Sequence, residues 1–265
     1  MRRWRTIVLG AMAGLVAPAL IFAGPAAAAP PIHDMRGHFA AFTLSHPSTI
    51  DNPDMRSGTL DITAQVGRVV VGRANIAGRA VVVTGTISPT DEVNLVGLGG
   101  PDTVNIRGHL LDDGGFAPCI FEGTYRVTSP RGSESGDLAA VHQVPVTGAP
   151  SIGGSWAGTI GDRGRLTATF AQSRNGVLTG RIDAVLFNPQ PDPPGFEFTI
   201  SGQVAWDGHT ASYLLIGGAD DAIVTAQLQP ARDAAGAPIL TGLLRLHRAD
   251  GSVEETAVQL HQVGA

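Results

Sequence analysis

A chain of 265 residues with a formal charge of −5 and 5% aromatic residues has neither the basic face of a nucleic-acid partner nor the ring supply of a sugar-stacking module. Its 18 basic residues are all arginine, and its one cysteine, Cys119, excludes an intrachain disulfide. The length suits one large or two ordinary domains.

Arg2, Arg3 and Arg5 precede an apolar run from Ile7 to Phe22, and an Ala-rich stretch follows. This is the pattern of a secretory signal. Pro30 disfavours cleavage after Ala29, so residues 1–28 are read as the signal peptide and 29–35 as the mature N-terminal tail. The expected location is secreted or elsewhere in the cell envelope outside the cytoplasm. No later segment is long and apolar enough to span a bilayer as a helix.

The rest is a tandem repeat. Gly37-His38-Phe39-Ala40 returns as Gly154-Ser155-Trp156-Ala157, Gly58-Thr59-Leu60 as Gly164-Arg165-Leu166, and Gly123 as Gly242. Gly99-Gly100-Pro101-Asp102 returns as Gly217-Gly218-Ala219-Asp220, and His142-Gln143 as His261-Gln262. Repeat 1 spans 36–144, a Pro/Gly/Ser-rich linker 145–153, and repeat 2 154–265. Each repeat resolves into eight strand-like segments. Val104, Ile106, Gly108 and Leu110 alternate with polar residues; so do Phe196, Phe198, Ile200, Gly202 and Val204, and Leu240, Gly242, Leu244 and Leu246. Period two with turn signals such as Asn175-Gly176 and Asp250-Gly251 predicts half-buried antiparallel strands. The fold class is therefore all-β: two tandem antiparallel eight-stranded meanders, closed as barrels or flattened to sandwiches. Inward glycines such as Gly123 and Gly242 either let strands bend or leave room for a ligand. Cys119, at a strand start, is expected to be a small buried hydrophobe.

Gly154-Ser155-Trp156, Gly164-Arg165-Leu166-Thr167, Val177-Leu178-Thr179-Gly180 and Gly217-Gly218-Ala219-Asp220 resemble the strand openings of calycin barrels, the avidin and lipocalin group. That resemblance implies a meander barrel that binds small molecules. It carries over no biotin-binding residue, because Arg181 follows Gly180 and the mature chain holds only Trp156 and Trp206. The proline-rich string around Pro189 resembles loops of uncharacterised secreted bacterial proteins.

Motifs for catalysis are absent: no nucleophile elbow, no His-Glu-x-x-His, no phosphate loop and no paired-cysteine spacing. His33, Asp34, His38, His46, Asp51 and Asp54 form a polar group whose spacing fits no metal site, and a solvated loop explains them. Glu254 and Glu255 point to opposite faces of a strand and cannot act together. The chain is therefore read as a non-enzyme with no cofactor and no metal.

In a meander, alternate connections share one end of the barrel. The connections after the first, third, fifth and seventh strands of each repeat converge there. In repeat 2 they include the run from Phe187 to Gly195, with four prolines in nine residues. This stiff rod presents Phe187, Asn188, Gln190 and Asp192 beside Gly217, Gly218 and Asp220; the same end of repeat 1 carries Gly99, Gly100 and Asp102. These residues are the candidate ligand or partner loops. The expected function is binding of an unknown small molecule or protein. The alternative is an inhibitor or adhesion-type module acting through the proline loop, and an enzyme with an unrecognised site is the third reading.

Overall fold

A computed structural model describes residues 32–46, 54–111, 119–162, 164–186, 195–219 and 221–263. Sixteen strands follow in order. They are β1 (Gly37–Ser45), β2 (Met55–Val66), β3 (Val69–Ile76), β4 (Arg79–Ile87), β5 (Glu92–Gly99), β6 (Asp102–Leu111), β7 (Ile120–Ser129) and β8 (Gly132–Gln143), then β9 (Gly154–Ile160), β10 (Gly164–Gln172), β11 (Val177–Leu186), β12 (Gly195–Trp206), β13 (Ala211–Ala219), β14 (Ala222–Arg232), β15 (Pro238–Arg248) and β16 (Val253–Val263). All neighbours are antiparallel. Strands β1–β8 close one barrel through β1–β8 pairing, and β9–β16 close a second through β16–β9 pairing. Barrels, not sandwiches, are the answer, and the described residues include no helix.

Closure removes the strand edges that an open meander would expose. Turn chemistry sets the register. In the β3–β4 hairpin, Ala77 (φ 51°) and Gly78 (φ 73°) supply the left-handed pair of a tight hairpin turn. The strands bend sharply where inward glycines pass a neighbour. A Cβ on Gly123 or on Gly242 would drive into the backbone of the adjacent strand, at Arg107 or Gln227. That space belongs to the protein main chain, so these glycines serve curvature and leave no ligand room.

Apolar side chains pack both interiors. Barrel 1 packs Phe39, Leu60, Ile106, Phe121 and Val127 with Cys119, which is fully buried as expected. Barrel 2 packs Trp156, Phe170, Leu178, Phe198, Tyr213 and Leu215.

One end of each barrel is closed by the segment that precedes its first strand, and the closure is duplicated. Ahead of barrel 1, Met35 is fully buried; its N–H donates to Gln65 Oε1 at 2.9 Å, and Gln65 Nε2 donates to the His33 carbonyl at 2.9 Å. Ahead of barrel 2, Ile152 takes the place of Met35. Its N–H donates to Gln172 Oε1 at 3.0 Å, and Gln172 Nε2 donates to the Pro150 carbonyl at 3.0 Å. A single amide thus holds the crossing segment at two points, an N–H and the carbonyl two residues before it. The 145–153 stretch is therefore the stopper of barrel 2 as well as the link from barrel 1.

Strand pairing also corrects two sequence matches. Leu60 sits opposite Phe39 across β1–β2 and Ala168 opposite Trp156 across β9–β10, so the counterpart of Gly58-Thr59-Leu60 begins at Leu166, two residues beyond Gly164. Phe39 sits opposite His142 across β1–β8, and Trp156 sits opposite Gln262 across β16–β9. The residue equivalent to His142 is Gln262, one position beyond His261. His142 points inward, stacks on Phe39 with ring centroids 4.3 Å apart, and lies 3.0 Å through Nε2 from the Arg36 carbonyl. His261 faces out, 3.7 Å from Asp233. Identical residue letters drew the wrong alignment, because side-chain direction flips with each residue along a strand.

The two barrels belong to one compact unit. Phe42 and Leu44 on β1, Ile120 on β7 and Ala139 and Val141 on β8 point outward from barrel 1 and bury against Leu214, Ile216 and Ile223 of β13 and β14. Strand β13 is consequently buried on both faces along its whole length. Each large aliphatic side chain so buried contributes about 1.5–3 kcal/mol. Beside this seam, Glu122 of barrel 1 accepts a hydrogen bond from Thr225 of barrel 2 and pairs with Arg245 at 3.3 Å. Burial opposes the charge on Glu122, but His247, Thr225 and Arg245 outweigh it and hold the carboxyl below its ordinary range.

Candidate functional site

The connections β1–β2, β3–β4, β5–β6 and β7–β8 share one end of barrel 1, and β9–β10, β11–β12, β13–β14 and β15–β16 share one end of barrel 2. These are the convergent ends expected from the meander. Because the clamped segments close the opposite ends, these mouths are where an interior could be reached.

The mouth of barrel 1 is stoppered by polar side chains. Tyr125 on β7 points inward and donates its hydroxyl to Glu134 Oε1 of β8 at 2.7 Å. Arg56 on β2 reaches Glu134 Oε2 at 3.4 Å, donates to the Ala77 carbonyl at 2.9 Å and pairs with Asp54. Burial, together with the Glu134 carboxylate, pushes the Tyr125 phenol well above its ordinary range. It stays a donor throughout the accessible pH range. The stopper is hydrogen-bonded at every side chain named.

The equivalent positions of barrel 2 are finished differently. Pairing of β15 with β16 sets Leu244 opposite Thr256 and Leu246 opposite Glu254, as pairing of β7 with β8 sets Tyr125 opposite Gly136 and Val127 opposite Glu134. Glu254 is thus the counterpart of Glu134, while Leu244 stands where barrel 1 has Tyr125. The Arg56 position falls at Gly164, since Arg56 pairs with Thr43 and Gly164 with Ile160. With tyrosine and arginine gone, an apolar cleft of about 30 Å³ opens there. Its walls are Ile160, Ile182, Ala184, Phe196, Phe198, Val224, Leu244 and Leu246, with Glu254 and Thr256 as polar lining. Such a volume holds about two water-sized groups.

Arg248, at the end of β15, closes the rim. Its guanidinium carbon lies 5.7 Å from the centroid of the Phe196 ring, and its Nη2 lies 3.5 Å from Glu254 Oε2. Phe196 in turn stacks on Phe198 at 5.9 Å. The turn below Arg248 is fixed: Arg248 N–H donates to the Ser252 carbonyl at 3.0 Å, and Gly251 N–H donates to the Arg248 carbonyl at 2.9 Å.

A second concavity of about 280 Å³ lies between the barrels, lined by Leu111, Ile120, Leu214, Gln227 and Arg245 among others. Its arginine is already engaged by Glu122 and by Glu255 at 2.7 Å.

The candidate loop residues disperse. Phe187, Asn188, Gln190, Asp192 and Asp220 lie outside the described residues, as does the signal segment. Gly217 and Gly218 are strand residues of β13. A Cβ on Gly217 would meet Ile200 and Val224 inside barrel 2, and one on Gly218 would meet Met55 and Phe42 of barrel 1. Gly99 packs against Val81, Gly100 (φ 60°) forms the β5–β6 turn, and Asp102 pairs with Arg79 at 3.6 Å. The polar group at the start of repeat 1 is also split. His38 binds Asp61 at 2.6 Å at the clamped end, and His46 binds Asp137 at 2.9 Å at the mouth; Asp51 lies outside the described residues. Among the described residues, no three His, Cys, Asp or Glu side chains gather as a metal site would require. Glu254 and Glu255 do face opposite ways, one into the mouth and one toward Arg245. Sequence reading passed over Arg248, took Leu244 only as an alternating strand residue, and named Glu254 only as half of a carboxylate pair that cannot act together. The signal was present in Gly123-Thr124-Tyr125 set against Gly242-Leu243-Leu244.

No protein-family model matches the chain, and no curated protein matches it. Among solved structures, a match is the crystal structure of a protein of unknown function from the DUF3598 family of Nostoc punctiforme PCC 73102. It is 14% identical, the match covers 86% of this chain and 96% of that one, and the TM-score is 0.23.

Proposed function

We propose that the protein is an exported, non-enzymatic binding protein that takes a small apolar ligand, or the apolar tip of a partner, at the mouth of barrel 2. The observation that carries this reading is the exchange of a hydrogen-bonded stopper in barrel 1 for an apolar cleft at the same positions of barrel 2. A concave apolar surface with a few polar groups at its rim is the usual form of a small-ligand site. The calycin resemblance of the strand openings supports the same reading, and the cleft lies at the mouth above the packed core of barrel 2. The signal pattern of residues 1–28 supports export. A second reading gives the contact to a protein partner through the proline string. It is favoured by position: the string joins β11 and β12, whose ends supply Ile182, Ala184, Phe196 and Phe198 to the cleft.

Methyl resonances test the proposal. Titration with butanol is expected to shift Ile160, Ile182, Leu244 and Leu246 while leaving the barrel 1 methyls in place, and Leu244→Tyr is expected to abolish those shifts. Equal shifts in both barrels, or none, would refute it.

A further inference from the structure

The outer walls of the two barrels share one cationic position and finish it differently. Arg126 on β7 lies opposite Asn105 and Ser135, and Arg245 on β15 lies opposite Thr225 and Glu255. The two arginines are therefore counterparts. In barrel 2 the cation is answered twice: Glu255 pairs with Arg245 at 2.7 Å from the next strand, and Glu122 reaches it at 3.3 Å from barrel 1. In barrel 1, Ser135 stands where that cross-strand carboxylate would be. Barrel 1 also adds a second cation. Arg107 lies opposite Thr124, at the place where barrel 2 has Gln227 opposite Leu243.

Arg107 and Arg126 are exposed, and among the described residues neither makes an ion pair or a side-chain hydrogen bond. Both point away from the core, because Ile106 and Tyr125 beside them point in. They are diagonal neighbours on β6 and β7, with backbones about 7–8 Å apart by sheet geometry, so their long side chains can converge on one group. The wall there is concave, with a volume of about 500 Å³, and Asn105, Thr124, Ser135 and His46 line it with the two arginines. The carboxylates beside it are engaged elsewhere. Asp137 binds His46 at 2.9 Å, and Glu122 is taken up by Thr225 and Arg245. Two cations left side by side on adjacent strands repel each other, so the folded chain favours an anion between them.

The donor set indicates which anion. A guanidinium presents paired N–H donors that match the oxygens of a phosphate. A phosphate monoester carries about −1.5 to −2 charge at pH 7 and three acceptor oxygens, enough for two arginines and the flanking hydroxyls. A carboxylate brings one charge and two oxygens. We infer that the outer wall of barrel 1 over β6–β8 is a binding site for a phosphate monoester, held between the guanidinium groups of Arg107 and Arg126 with Thr124 and Ser135 donating their hydroxyls. The site is separate from the mouth of barrel 2 and stands or falls without it. With a net charge of −5, the chain as a whole repels anions, so the attraction is local to this wall.

The test follows arginine Nε–H resonances of the full chain during titration with glycerol 3-phosphate, acetate and glycerol at constant ionic strength. Glycerol 3-phosphate is expected to shift the Arg107 and Arg126 signals and to bind about tenfold more tightly than acetate, the gain of one further charge-assisted contact. Arg107→Gln and Arg126→Gln are each expected to weaken it about tenfold. Ser135→Glu rebuilds the cross-strand pair of barrel 2, and is expected to abolish binding while leaving the core methyl resonances in place. Arg73→Gln, at an exposed arginine of β3, is expected to change nothing. Phosphatidylcholine vesicles containing phosphatidic acid separate two sources of the same chemistry. Binding of glycerol 3-phosphate assigns the site to a soluble phosphate ester; co-sedimentation with the vesicles alone, lost on Ser135→Glu, assigns it to a lipid headgroup. The inference is overturned if neither binds, if acetate binds as tightly as glycerol 3-phosphate, if Ser135→Glu leaves binding intact, or if Arg73→Gln weakens it as much as Arg126→Gln.

Discussion

Barrel 1 and barrel 2 share strand order, clamped end and the inward carboxylate at the mouth, yet one mouth is stoppered by Tyr125 and Arg56 and the other is apolar beneath a rim arginine. The difference teaches how a duplicated barrel can divide labour. Polar groups that satisfy one another add stability and specify one arrangement. An apolar mouth leaves surface for something else to cover.

The largest expected effect is on the stopper itself. Tyr125→Ala removes a buried ring and leaves Glu134 without its phenol, so it should cost about 3–5 kcal/mol in urea unfolding. Leu244→Ala at the matching position of barrel 2 should cost about 2 kcal/mol, because the cleft already borders solvent. Equal losses would erase the distinction between the mouths.

The clamped ends differ as well. Burial lowers the His142 imidazole to about 4, with nearby His33 and His38 adding to the effect, and the Arg36 carbonyl and Asp34 opposing it. Its barrel 2 counterpart, Gln262, does not titrate. A histidine with a depressed folded-state pKa is fully stabilising above about 6.5, where both states are neutral, and loses that contribution as pH falls from about 6.5 to about 4, where the unfolded chain takes up the proton first. Stability should fall by up to about 3 kcal/mol over that window. His142→Gln should flatten the curve in chemical unfolding at stepped pH; a slope unchanged by the substitution would refute the assignment.

At the seam, Gly218→Leu should cost about 1–3 kcal/mol by overpacking Met55 and Phe42. Its signature should be loss of the shared transition, with the barrels melting apart. The smallest effect belongs to Leu244→Tyr. A phenol there can donate to Glu254 as Tyr125 does to Glu134, so stability should change by less than about 1 kcal/mol even as the cleft fills, as measured by thermal unfolding.

The repeat, the strands and the convergent loop ends could be read from glycine spacing, alternation and turn dipeptides, which are local signals. What could not be read was which wall of each barrel meets the other. Strand β13, Ala211-Ser212-Tyr213-Leu214-Leu215-Ile216, lacks the alternation of a half-exposed strand, and that run was its one clue. The site was hidden for a different reason. Glu254 alternates correctly as a strand residue, but whether an inward residue lies deep or at a mouth depends on the stagger of the barrel, which no single strand encodes. The candidate glycines were matched by identity between repeats, and identity marked close packing, not recognition.

The amide clamps carry a mechanical consequence. Because 145–153 is at once tether and cork, with Gln172 holding it at Pro150 and Ile152 and the Trp156 indole N–H donating to the Ile152 carbonyl at 2.9 Å, the link between the halves is anchored in barrel 2. Any pull that separates the barrels must first uncork the second one.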